Sequence, residues 1–151
     1  MLDWAAGLIL QQGIIVQLRA KSTTKKFHLK PEDKTQMAIL DYCKLVYPRL
    51  HECVIKIHNE GQRSRSTNRI LPRLGLRAGA SDLFFAYPTE LYCGLWMEVK
   101  KDGWKPTKAQ QEHLSRQQAF ITQMKSMGYM AEWAIGTDMG IAILDAYMKG
   151  A

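Results

Sequence analysis

The order of the secondary-structure patterns is the feature that most constrains this chain. Two strand patterns, at residues 82–87 and 92–100, follow each other closely, and the first ends at Pro88. A third strand pattern, at 129–135, comes only after a long helical stretch that opens with a capping box at Thr107. Adjacent strands pair as a hairpin, whereas a strand reached through a helix pairs in parallel with an earlier one. The order therefore predicts an α/β domain with a central mixed sheet flanked by helices.

Two further helices and one more strand complete the predicted series. Pro31, Glu32 and Asp33 are typical of a first helical turn, because proline needs no amide partner there and acids suit the positive end of the helix dipole. Branched residues at 53–58 indicate a strand, and residues 138–148 indicate a last helix. The predicted order is helix, strand, strand, strand, helix, strand and helix.

Length, charge and cysteine content bound the class of protein. The 151 residues suit one domain at 31–151, preceded by an apolar element and basic connector at 1–30. The net charge of +7 favours polyanionic partners. Three cysteines without a C-x-x-C pair argue against a disulfide framework and indicate a reduced, cytoplasmic setting. The apolar run at 4–16 is too short to span a bilayer, so we expect no membrane partner.

The basic charge is concentrated in a glycine- and arginine-rich passage at 59–79, which is too polar to be core. Its arginines are the candidate contacts with a polyanion: Arg63, Arg65, Arg69, Arg73 and Arg77. Guanidinium groups donate paired hydrogen bonds to phosphate oxygens, although a solvated loop is the alternative interpretation. Trp104, in a later loop, is the aromatic residue to test for stacking on a nucleotide.

One strand carries an acidic and a basic side chain on the same face. Side chains alternate along a strand, so Glu98 and Lys100 point to one side together. Asp82 begins the neighbouring strand of the hairpin, within reach of the same edge. Two converging carboxylates can hold Mg²⁺ or Mn²⁺, and the lysine beside them can assist a water nucleophile. The alternative is an ordinary solvated polar face, because a Glu-x-Lys tripeptide alone is a weak signal.

These segments, taken in order, resemble the VRR-NUC (virus-type replication-repair nuclease) domain, a branch of the PD-(D/E)XK nuclease superfamily. The resemblance runs from about Glu32 to Tyr147. It rests on the following segments: Glu60 after a strand, Gly-Ala-Ser-Asp-Leu at 79–83, Leu-Trp-Met-Glu-Val-Lys at 95–100, Thr-Lys-Ala-Gln at 107–110, and Gly-Tyr at 128–129. Ser81 stands where many members have proline, a difference that leaves the metal site intact.

The resemblance implies a restriction-endonuclease-like core of αβββαβ topology and a metal-dependent phosphodiesterase that acts on DNA. It implies Asp82, Glu98 and the backbone carbonyl of Val99 as ligands of Mg²⁺ or Mn²⁺. Lys100 would sit beside the attacking water. These residues would form the catalytic centre.

Two more residues are matched less tightly. Gln110 corresponds to the glutamine that follows the Glu-x-Lys strand and helps to place water or substrate; the capping box gives it an alternative role as a helix cap. Glu32 is the candidate for a metal-binding acid from the first helix, with a plain first-turn acid as the alternative. Gln36 is another candidate for that place.

The resemblance also implies a substrate and an assembly. Stand-alone members resemble branched-DNA nucleases that work as dimers, so we expect a homodimeric endodeoxyribonuclease of phage or prophage origin, acting on Holliday junctions or flaps. Residues 2–18 are a candidate dimer contact, or else pack on their own core. The alternative function is an inactive nucleic-acid-binding module with a nuclease-like fold. The intact Asp82, Glu98 and Lys100 weigh against it.

Overall fold

A four-stranded sheet lies at the centre of the protein, in a computed structural model that describes residues 29–58 and 70–150. Its strands, in spatial order, are β1 (Val54–Lys56), β2 (Leu83–Phe85), β3 (Leu95–Lys100) and β4 (Met130–Ile135). β2 pairs antiparallel with both β1 and β3, and β3 pairs in parallel with β4. The predicted mixed sheet, with one hairpin and one helical crossover, is confirmed.

The described helices are α1 (Pro31–Val46), α2 (Pro48–Glu52), α3 (Gln111–Ser126) and α4 (Thr137–Met148), with 3₁₀ turns at Leu71–Leu74 and Lys108–Gln110. α1 begins at the predicted proline, and the backbone N–H of Lys30 donates to Asp33 Oδ2 at 3.1 Å. Pro48 ends α1 but also opens α2, which the sequence did not predict. Proline at a first helical position is favourable, so one residue serves both purposes.

Helices cover both faces of the sheet. On one face, α1 and α4 bury Ile39, Cys43 and Leu144 against Met97 and other strand residues. On the other face, α3 packs with side chains that include Phe120, Ile121 and Met124, next to Trp96 of β3. Met97 and Trp96 therefore point to opposite faces, as alternation along a strand requires. The even-numbered residues of β3 face α3.

Two tyrosines join the helices of the larger core. The hydroxyl groups of Tyr42 and Tyr47 both donate to Asp145 Oδ1, at 2.8 and 2.9 Å. The hydrogen bond to Asp145 raises the pKa of Tyr42 to about 12. These bonds tie α1 to α4 on the side of the sheet away from α3.

Several predicted features fall on other parts of the chain. The candidate dimer contact at 2–18 and three of the candidate arginines, Arg63, Arg65 and Arg69, lie outside the described residues. Within the described ranges, no helix combines the length and the apolar character that crossing a membrane requires.

Candidate active site

Glu98 and Lys100 lie at the C-terminal end of β3, on the face covered by α3. Only 1% of the surface of Glu98 and 9% of that of Lys100 is exposed. Lys100 Nζ donates a hydrogen bond of 2.8 Å to Glu98 Oε1. A solvated polar face, the alternative interpretation of these residues, is therefore wrong. Burying this ion pair requires a desolvation cost that an ordinary surface strand avoids.

Asp82 lies immediately before β2, next to the same end of β3. Its Oδ2 accepts a hydrogen bond of 2.9 Å from the backbone N–H of Val99. The carbonyl of Lys100 accepts from Gly136 on the β4 side. Because successive backbone groups of a strand point to opposite neighbours, the Val99 carbonyl points toward the Asp82 side. The fold thus brings Asp82, Glu98 and the Val99 carbonyl to one end of the sheet.

The glycine at the start of the Gly-Ala-Ser-Asp-Leu segment allows this placement. Gly79 has a positive φ of 85° and approaches the backbone of α3 closely. A Cβ there would lie 2.8 Å from the carbonyl carbon of Arg116, well inside van der Waals contact. Glycine is therefore required for the loop to pack on α3 and deliver Asp82 to β3.

Two neighbouring carboxylates dominate the electrostatics of the site: Glu98 is buried and Asp82 is half-buried. Burial and the nearby Asp82 carboxylate raise the pKa of Glu98 to about 8, although the Lys100 ammonium opposes that rise. Burial lowers the pKa of Lys100, but the Glu98 and Asp82 carboxylates outweigh it, so that pKa is raised overall. Two acids held this close repel each other, and a cation between them would relieve the repulsion.

The donor atoms fit a hard divalent cation. Glu98 Oε2 is buried and no hydrogen-bond donor of the described residues reaches it. An unpaired carboxylate oxygen beside a second carboxylate and a backbone carbonyl is the oxygen-rich environment that Mg²⁺ and Mn²⁺ prefer. In the described part of the chain no three His, Cys, Asp or Glu side chains form a metal-binding group. The oxygen atoms that would be available to such a cation are those of Asp82, Glu98 and the Val99 carbonyl.

Gln117 is the site residue that the sequence did not reveal. From the middle of α3, its Nε2 donates to Glu98 Oε1, and the residue is 5% exposed. Its own Oε1 is buried and lacks a partner among the described residues. Helical spacing was the available signal, because Gln117 lies three and four residues before the apolar Phe120 and Ile121 on the same face. A glutamine is unusual on the apolar face of a helix. It is accounted for here because the buried Glu98 needs a hydrogen-bond donor.

Gln110 has a different set of partners. Its Oε1 accepts hydrogen bonds from the backbone N–H and the hydroxyl of Thr107, at 3.0 and 3.1 Å. The predicted capping box is confirmed. Gln117, and not Gln110, donates to Glu98. Gln110 is exposed, and its side-chain oxygen accepts from Thr107 at the start of the helix.

A cavity of about 160 Å³ adjoins Asp82. Asp82, Val99 and Lys100 line one side, and Glu32 and Gln36 of α1 line the other. Glu32 is near enough for its charge to contribute to the raised pKa of Lys100. Both candidates from the first helix therefore border the same space as the Glu98–Lys100 strand.

Lys56 is a further cation that lines the cavity. Its Nζ donates to Gln36 Oε1 at 3.1 Å and lies 3.9 Å from Asp33 Oδ1. With Lys30 and Lys100, the cavity thus combines acidic groups with three ammonium groups among its described lining residues, a mixture that can hold both a cation and a phosphate.

Of the predicted DNA contacts, Arg73, Arg77 and Trp104 lie within the described residues. Arg73 is exposed in the first 3₁₀ turn. Arg77 packs on α3, where its guanidinium donates to Gln123 and lies 5.9 Å from the ring centroid of Phe120. Trp104 stacks on Trp133 with ring centroids 6.1 Å apart. Arg77 therefore has a structural contact as well as a charge.

Comparison with known proteins supports the resemblance. No family model matches the chain, and the search of curated proteins finds no match. A solved structure described as "VRR_NUC domain protein" matches with a TM-score of 0.61 and 25% sequence identity, covering 83% of this chain and 93% of that chain. The mixed sheet flanked by helices is consistent with a restriction-endonuclease-like fold, and this structural likeness supports a VRR-NUC domain.

Proposed function

We propose that the protein is a divalent-metal-dependent endodeoxyribonuclease. The observation that carries this proposal is the buried Glu98, which has one oxygen held by Lys100 and Gln117 and the other without a donor among the described residues. A purely structural carboxylate at this depth would have both oxygens hydrogen-bonded. A cation bound between this oxygen and the nearby Asp82 carboxylate would account for the missing hydrogen bond.

The residues divide the chemical work as follows. Asp82, Glu98 and the Val99 carbonyl would hold Mg²⁺ or Mn²⁺, which when bound lowers the pKa of a water and polarises the scissile phosphate. Lys100 keeps one N–H on Glu98 and has further N–H groups to orient the attacking water and to stabilise negative charge on the phosphate. Gln117 donates to Glu98 Oε1 and would help to hold that side chain in position.

The substrate of the proposal is branched or structured DNA, such as Holliday junctions or flaps. The net charge of +7 supports a polyanionic substrate, and Arg73, Arg77 and Lys56 are the described cations that would contact its phosphates. Branched DNA and a homodimer rest on the family resemblance. A cytoplasmic setting, in a bacterium or a phage-infected host, belongs to the same proposal.

Cleavage assays on the purified protein test the enzyme. The substrates are supercoiled plasmid, duplex, flap, fork and four-way junction, each with Mg²⁺, Mn²⁺ or EDTA. Glu98→Gln keeps the size of the side chain but not its charge, and should lower the cleavage rate at least about a thousandfold. The matched control is Glu112→Gln on α3, whose side chain is exposed and away from the cavity; it should cleave like the parent.

Binding must be separable from cleavage. Lys100→Ala should abolish cleavage while a gel shift in EDTA persists, because the proposed role of Lys100 lies in the chemical step. If the parent shifts DNA but never cuts it with either metal, and Glu98→Gln behaves identically, the protein is a binding module and the enzyme proposal fails.

A further inference from the structure

We infer that a groove beside the catalytic cavity binds one unpaired nucleotide of the DNA strand, with its base stacked on Trp104. This inference rests on the proposed function and specifies its substrate: a strand that is single-stranded next to the scissile phosphate.

The groove lies between the start of α1 and the loop that follows β3. Its volume is about 410 Å³, within the range of about 300–1,000 Å³ that is typical of small-ligand sites. Lys30 and Glu32 line both this groove and the catalytic cavity. A strand whose phosphate lies in the cavity would therefore run directly into the groove.

Trp104 is held in a fixed orientation at the groove. Its ring stacks on Trp133 at an interplanar angle of 14°, and Trp133 Nε1 donates to Gln118 Oε1 at 3.0 Å. Lys100 Nζ lies 5.8 Å from the centroids of both rings. Trp104 is half-buried and borders the groove, whereas Trp133 does not. A ring that is already ordered loses little conformational freedom when a base stacks on it.

The charge of the groove suits a nucleotide. Lys30, Lys101 and Lys105 line it, with Glu32 as the acid at the end shared with the cavity. Asp102, the acid of the loop, accepts a hydrogen bond of 3.0 Å from Gly103 N and is not among the lining residues. Lysines around an aromatic ring combine phosphate attraction with base stacking, the pattern of single-strand binding sites.

The base must be unpaired to use this site. In a duplex each base is already stacked on its neighbours, so its face is covered, whereas a base at a flap or junction is open to an aromatic side chain. The groove therefore favours a branched substrate over a continuous duplex through one contact, without reading the base sequence.

A fluorescent base tests the contact without any cleavage. Flap oligonucleotides carry 2-aminopurine at successive single positions near the branch, and binding to the full chain is measured in EDTA. We expect quenching at one position with the parent protein. Trp104→Ala should remove that quenching and lower flap affinity about tenfold, while Trp104→Phe should retain most of both. Duplex affinity should be the same in all three proteins.

The outcomes separate this inference from the proposed function. Thermal melts of the variants check that they fold. If Trp104→Ala does not fold, Trp104→Phe still tests the site, because its ring can stack on a base. If the parent binds and cuts flaps but quenches no position, or if Trp104→Ala lowers flap and duplex affinity equally, the groove does not bind a base although the nuclease stands. If the parent neither binds nor cuts any DNA, both proposals fail.

Discussion

At the scale of single residues, Glu98 combines requirements that conflict. A carboxylate with 1% exposure is unfavourable unless its charge is compensated. Burial, and then the charge of the nearby Asp82, raise the pKa of Glu98 to about 8. One lysine and one glutamine compensate only one of its oxygens. Such a site sacrifices stability for function, because a hydrophobic residue in its place would pack without the desolvation cost.

A substitution of Gln117 tests whether the site lowers stability in favour of metal binding. Gln117→Leu removes the donor to Glu98 Oε1 and also the buried Gln117 oxygen that has no described partner. We expect the free energy of unfolding to stay level or rise, while Mn²⁺ affinity and cleavage fall roughly 10- to 100-fold. Calorimetric Mn²⁺ titration of DNA-free protein and urea unfolding measure the two effects.

The neighbouring glutamines provide controls for that prediction. Gln111→Leu, at an exposed position at the start of the same helix, should leave Mn²⁺ affinity unchanged. Gln110→Glu keeps the acceptor of the capping box, so it should also bind Mn²⁺ normally. Parental Mn²⁺ affinity in Gln117→Leu would mean that the Glu98–Gln117 contact does not support the metal site.

The two glutamines also mark what the sequence could and could not predict. Asp82, Glu98 and Lys100 follow from strand alternation and motif order, because their positions depend on one hairpin. Gln117 depends on how α3 is rotated over the sheet, which no local pattern fixes. Gln110 lies nearer to β3 in the sequence, so motif order alone favoured it over Gln117 as the glutamine of the site. Contacts across elements require the tertiary packing.

At the scale of elements, the ends of the strands were predicted less well than their existence. The pattern at 53–58 is longer than β1 (Val54–Lys56), and the pattern at 82–87 is longer than β2 (Leu83–Phe85). Branched and aromatic residues indicate an extended backbone, but a ladder ends where its partner strand turns away. The same limit explains α2, since a proline that ends one helix gives no sign that another follows.

The crossing of α1 and α4 yields the prediction at this scale. Gly140 of α4 is buried against Ile39, and a Cβ there would lie 2.6 Å from Ile39 Cγ1 and closer still to its Cδ1. Alanine gains about 1 kcal/mol in helix propensity, but overpacking a rigid core costs about 1–3 kcal/mol. Ile39 has no exposed surface, so its side chain can move only by displacing its neighbours in the core. Gly140→Ala should therefore lower the free energy of unfolding by up to about 2 kcal/mol.

A double-mutant cycle isolates the cause. Ile39→Ala alone leaves a cavity and should cost about 2–5 kcal/mol. The alanine methyl at position 140 then enters space that Ile39 vacated, so the double variant should be more stable than the sum of the two losses implies. Urea unfolding of the four proteins gives the coupling. Strict additivity would show that the two residues do not share this contact in solution.

At the scale of the whole molecule, the chain carries a net positive charge, but the described residues place the half-buried Asp82 beside the buried Glu98. The net charge of +7 favours attraction of a polyanion, whereas the Asp82 and Glu98 carboxylates would repel phosphate in the absence of a cation. Under the proposed function, DNA binding and DNA cleavage therefore depend on different charges. The protein should then bind DNA without metal and cut it only with metal, so the two activities can be measured separately.

The salt dependence of DNA binding tests which cations carry the affinity. Each lost phosphate contact should lower the slope of log affinity against log salt by about 1. Arg73 is exposed, so Arg73→Ala should weaken duplex and flap binding equally and reduce the slope by about 1, with an unchanged melting temperature. Fluorescence anisotropy between about 50 and 200 mM salt measures it.

Arg77 should behave differently, because it also packs on α3 against Phe120 and Gln123. Arg77→Ala should reduce the slope like Arg73→Ala and also lower the melting temperature. Arg77→Lys should recover the slope but not the melting temperature, since an ammonium keeps the charge without the planar guanidinium. Lys149→Ala, an exposed charge at the other end of the chain, is the control. A reduction of the slope by Lys149→Ala as large as that by Arg73→Ala would mean that overall charge, and not a defined surface, binds the DNA.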